Sequence, residues 1–119
     1  MSELKLEGKL SENSYGEADG ILFCGSEPVA QWAYERVPRD EPVSVRYWLT
    51  DREVTLEEAQ REAVEQILGK TDIDWGAHYS ELTGYLWTDE EFKVGGHDMI
   101  ERLRSALGKY LHLEVIISA

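Results

Sequence analysis

The chain has 119 residues, 42% of them hydrophobic and 30% charged, with a formal net charge of −12 at pH 7. That much apolar material in a chain of one-domain length excludes wholesale disorder. The acid excess excludes direct binding to nucleic-acid phosphates or to an anionic membrane surface.

The partner that such a charge suits is a basic protein, although the acids are scattered along the chain and not gathered into a tail. One cysteine, Cys24, cannot form an internal disulfide. There is no basic region followed by an apolar run at the start and no membrane-length apolar stretch, so the expected location is cytoplasmic.

The chain opens with Leu4 to Leu10, which alternates apolar and polar residues and predicts a half-buried strand. Ser11 to Gly20 reads as a loop, and Ile21 to Cys24 as a short buried strand. Gly25-Ser-Glu-Pro28 then starts a helix with Val29, Trp32, Ala33 and Val37 on one face. Val43 to Leu49, rich in β-branched and aromatic residues, predicts the next strand.

Thr55-Leu-Glu-Glu58 is a capping box, and Leu56, Ala59, Ala63, Val64, Ile67 and Leu68 follow at helical spacing up to Gly69. A linking helix over 55–68 is the expectation. Thr71 to Ala77 reads as a connector, Tyr79 to Trp87 as a strand and Thr88 to Glu91 as a turn. Phe92 to Val94 is a short strand. Asp98 and Glu101 cap a helix carrying Ile100, Leu103 and Leu107, Gly108 ends it, and Tyr110 to Ser118 is the final strand.

The two ends of the chain look alike. Leu6-Glu-Gly-Lys-Leu10 aligns with Leu82-Thr-Gly-Tyr-Leu86, and Phe23-Cys-Gly25 with Val94-Gly-Gly96. This predicts one domain over 1–119 with pseudo-repeat halves at about 3–50 and 78–118. The expected fold class is α+β: two β-β-α-β halves forming a small six-stranded barrel or a pair of sheets, joined by the 55–68 helix. The shape is similar to pseudo-twofold barrels built from two such halves, a likeness that carries no function.

Candidate binding residues fall in two places. Gly95, Gly96, His97 and Asp98 combine backbone freedom, a helix start and an imidazole; the competing reading is a turn whose Asp98 caps the helix. Trp87, Asp89 and Glu90 join an aromatic strand end to an acidic run, a suitable hot spot for a basic partner. Cys24 before Gly25 and Ser26 could be a thiol activated by a helix start, against the reading of a small buried hydrophobe.

His78, His97 and His112 share no ligand spacing, and the acidic runs lack the pattern of a calcium loop, so no metal site and no cofactor is expected. Arg46, in an apolar strand, is expected to pair with Glu114 or Glu81. No catalytic constellation is present, and the leading expectation is a non-enzymatic protein-interaction module with an acidic surface, as a monomer or small homo-oligomer. One alternative is a small-molecule-binding domain or enzyme with its site at the Gly95–Asp98 and Cys24–Ser26 loops. Another is an acidic inhibitor that mimics nucleic acid.

Overall fold

The structure, a computed structural model, describes residues 2–15, 18–39, 41–59 and 65–117, apart from the side chains of 2, 15, 18–19, 56, 65, 77–80 and 85–88. In chain order the elements are β1 (Ser2–Tyr15), β2 (Ala18–Cys24), β3 (Glu27–Pro28), α1 (Val29–Arg36), β4 (Pro42–Thr50), α2 (Leu56–Ala59), β5 (Glu65–Ser80), β6 (Tyr85–Val94), β7 (His97–Asp98), α3 (Met99–Arg104) and β8 (Tyr110–Ile117). The strands form one antiparallel sheet in the order β3-β2-β1-β8-β4-β5-β6-β7.

This corrects the expected α+β class. Among the described residues the protein is mostly strand with three short helices, and its eight-stranded sheet is open, neither a six-stranded barrel nor two sheets. The ends of the sheet do approach each other, but side chains bridge them there and no backbone ladder closes the gap: the Leu22 N–H donates to Glu90 Oε2 at 3.1 Å. No helix among the described residues is long and apolar enough to cross a membrane.

The linking helix is also corrected. Among the described residues α2 ends at Ala59, and Glu65 to Leu68 already belong to β5. Residues 60–64 lie outside the described residues. In a helix Ile67 and Leu68 would share a flank of the apolar stripe. In the strand they part: Ile67 is in the core and Leu68 is 66% exposed. Pairing of Val45 with Ile67 and Val43 with Gly69 along β4 supersedes the local helical period. The expected connector at 71–77 is strand because it pairs with β6, and the true turn is Glu81–Gly84, with Leu82 98% exposed.

The two halves repeat one another in hydrogen-bond register, with a different alignment from the one read above. Leu10 pairs with Cys24 as Thr71 pairs with Val94. The Gly25 N–H donates to Lys9 O at 3.0 Å, as the Gly95 N–H donates to Lys70 O at 2.9 Å. Gly8-Lys9 therefore matches Gly69-Lys70, not Gly84-Tyr85, and the second half starts with β5 instead of near residue 78. Both glycines are places where two backbones touch. A Cβ on Gly8 would lie 2.8 Å from Gly25 N, and one on Gly69 would lie 2.4 Å from Gly95 Cα.

At these glycines β1 and β5 leave the central ladder. Their first parts pair with β8 and β4; their second parts form hairpin arms with β2 and β6. The core lies between the sheet and helices α1 and α3. It contains Leu6, Leu10, Val45, Trp32, Ala33, Phe92, Val94, Leu103, Leu113 and Val115. α1 packs over the β5–β6 arm, and α3 against β6 and β1.

Candidate functional site

The Gly95–Asp98 loop is a hairpin turn followed at once by a helix. Gly95 and Gly96 both have positive φ, and Val94 and His97 pair across the turn. Asp98 accepts a hydrogen bond from the Glu101 N–H at 3.2 Å, so it caps α3. His97 Nδ1 lies 2.9 Å from Arg102 Nη2. A guanidinium only donates, so Nδ1 accepts and the ring proton sits on Nε2.

A shallow depression of about 490 Å³ here is lined by Gly96, His97, Asp98, Glu101, Arg102 and Ser105. None of these comes from the first half, whose matching turn, Gly25–Ser26, lies near the other end of the sheet order. Beside that turn Cys24 is buried. Burial, then the charges of Glu27 and Glu7, push its thiol up to about 12, which makes it a poor nucleophile near neutral pH.

The larger depressions lie on the sheet face away from the core helices. Two adjoining hollows, of about 810 and 720 Å³, flank Val54 and Thr55. His112 forms part of the second. It is 6% exposed, with Nε2 2.9 Å from Val54 O and Nδ1 3.3 Å from Glu7 Oε2. Contact of Nε2 with Val54 O ties the 51–59 segment to the sheet, and Nδ1 faces the Glu7 carboxylate. Next to it, Arg46 Nη2 lies 2.7 Å from Glu114 Oε2, the cross-strand pair expected from the sequence.

Asp89 and Glu90 project to opposite faces of β6. Glu90 sits opposite Trp75 and turns to the core side. There it accepts from the Leu22 N–H and pairs with Arg104, whose Nη2 also donates to Gly20 O at 2.6 Å. Arg104 Nε is 3.2 Å from Glu12 Oε1. Glu90 thus clasps the two arms together and is turned away from the outer face. The side chain of Trp87 lies outside the described residues; its backbone pairs with His78.

Asp89 falls on the outer face with a group that the sequence reading missed. The register sets Asp72 opposite Lys93, Asp74 opposite Glu91, and Gly76 opposite Asp89. Among the described residues Asp72, Asp74, Asp89 and Glu91 therefore share the face with Lys93, which has Asp98 opposite it on β7, and with Lys70 two residues before Asp72. Lys93 Nζ lies 2.9 Å from Glu91 Oε1. The hydrogen bond to Glu91 raises the Lys93 pKa, and the charges of Glu91, Asp98 and Asp72 act in the same direction. The signal in the sequence was the alternation Thr71-Asp-Ile-Asp74 against Glu91-Phe-Lys-Val94, legible only once the strands are paired.

Among the described residues no three His, Cys, Asp or Glu side chains gather into a metal-holding group. Comparison with known protein families, with curated proteins and with solved structures returns no match.

Proposed function

We propose that the protein is a non-enzymatic interaction module that presents the acidic outer face of the β5–β6 arm to a basic protein surface. The observation that carries this reading is the row Asp72, Asp74, Asp89 and Glu91, with Asp74 directly opposite Glu91. Like charges facing each other across a ladder cost stability. Lys93 already pairs with Glu91, and a cationic partner would add further favourable charge to the row. The raised thiol of Cys24 supports a binding role over nucleophilic catalysis at that residue.

Carboxylates at every second position of a strand stand about 6.8 Å apart, at about 3.4 Å per residue. A partner with regularly spaced Lys and Arg would match them, and a nucleic-acid-binding face is one such surface. The test is a titration with a Lys-rich peptide at low and moderate salt, followed by backbone amide shifts. Support is salt-sensitive binding that maps to residues 72–74 and 89–93 and is lost in Asp72→Lys/Asp74→Lys. Equal loss in Glu57→Lys/Glu58→Lys, in α2, would mean diffuse attraction and would overturn the reading.

A further inference from the structure

We infer that the outer edge of β6 over Tyr85–Asp89 accepts an extended basic segment of the partner as an added strand. This rests on the acidic-face reading above and specifies how the partner is held.

β6 runs for ten residues, but β7 covers only Lys93 and Val94. Among the described residues no other strand pairs with that edge. Val94 closes the turn with His97, so its backbone groups point toward β7; those of Glu90, Thr88 and Leu86, at two-residue steps, point the same way.

The matching edge in the first half is occupied. There the Leu22 N–H is satisfied by Glu90, and Gly20 O by Arg104. The register that equates Cys24 with Val94 and Pro28 with Asp98 equates Glu90 with Gly20 and Arg104 with Tyr34. Glycine has no side chain to offer and tyrosine no guanidinium, so the first half cannot return the clasp. Tyr85–Asp89 also carries no Lys or Pro, the residues that commonly block a free edge.

Charge selects the occupant. A second copy would bring another −12 against the same edge. A basic strand would place every second side chain on the face of Asp89 and Glu91, while its backbone pairs with Leu86 and Thr88.

The test uses a ten-residue peptide of alternating Lys and Val, the same peptide N-methylated on alternate residues so that one edge cannot donate, and the full chain. The expected result is about tenfold weaker binding of the methylated peptide, the scale of a few lost backbone hydrogen bonds. Slowed exchange of the Thr88 amide by the unmodified peptide alone is also expected. Thr88→Pro removes a donor that faces the edge while sparing the ladder to β5, and should weaken the unmodified peptide similarly.

If both peptides bind equally to the acidic face and the Thr88 amide is unchanged, the added-strand inference falls and the acidic-face reading stands. If neither peptide binds, or binding survives Asp72→Lys/Asp74→Lys, both fall. The peptide comparison decides even if Thr88→Pro does not fold.

Discussion

The β1–β2 and β5–β6 arms share one hydrogen-bond plan and end differently. Both leave the central ladder at a Gly-Lys step, and both turn back through a glycine that touches that step. The first arm's free edge is tied down by a carboxylate and a guanidinium from the other half. Among the described residues no strand pairs with the second arm's edge over Tyr85–Asp89, and its outer face is acidic. Equivalent backbones thus set the frame, and unequal side chains decide which edge is tied to the other half by Glu90 and Arg104.

The largest effect tests the shared frame. Gly69→Ala should destabilise by about 2–3 kcal/mol, because its Cβ would press on the Gly95 backbone. Gly8→Ala should cost somewhat less, its closest approach being 2.8 Å and not 2.4 Å. Gly76→Ala, with positive φ but open space around it, should cost about 1 kcal/mol from strain alone. Denaturant melts of the three variants check this order. Equal costs at Gly69 and Gly76 would mean that the close approach is not what holds the arm.

The clasp comes next. Glu90→Ala leaves the Leu22 N–H and Arg104 short of an acceptor and should cost about 2 kcal/mol. Its neighbour on the other face, Asp89→Ala, should leave thermal stability within about 0.5 kcal/mol of the parent, as at most surface positions. If the two cost the same, the arms are not joined through Glu90.

The matched pair Cys24 and Val94 gives a pH test. A thiol held neutral in the fold ionises more readily once unfolded. Between pH 9 and about 12 the unfolded chain then holds fewer protons, and stability falls as pH rises. The expected slope from this group is about 1.4 kcal/mol per pH unit, with none below pH 9. Cys24→Val, which copies the second arm, should remove that part of the slope in chemical melts at pH 9, 10 and 11. Parallel pH profiles for the two proteins would count against a buried neutral thiol.

The smallest effect concerns the acidic row. Asp74→Asn relieves the charge opposite Glu91 and should change stability by less than about 0.5 kcal/mol. It should nevertheless weaken a Lys-rich peptide in calorimetry. A large stability loss would assign Asp74 to the fold instead of to a partner.

Much of the local structure was legible in the sequence. Alternation placed the start of β1 and nearly all of β8, β-branched and aromatic residues placed nearly all of β4, and the Asp98 and Thr55 caps formed as their residue types require. The Arg46–Glu114 pair followed from a charge in an apolar strand. The β5 region failed because its apolar spacing also fits a helix, and only long-range pairing with β4 chooses between them. Local similarity aligns the repeat on Gly84, a turn glycine, whereas the hydrogen-bond register matches Gly8-Lys9 with Gly69-Lys70. The acidic row stayed hidden because its members come from two strands that read as connector and turn. The role of Glu90 was hidden because its partners, Leu22, Arg104 and Gly20, are distant in the chain.

Native-state amide hydrogen exchange at Leu22 and Thr88 tests the contrast between the two edges most directly. Both amides face an outer edge of the sheet. The account predicts that Leu22, held by Glu90, exchanges at least about 100-fold more slowly than Thr88, and that Glu90→Ala removes most of the difference. Equal protection of the two amides in the parent protein, or no response at Leu22 to Glu90→Ala, would contradict it.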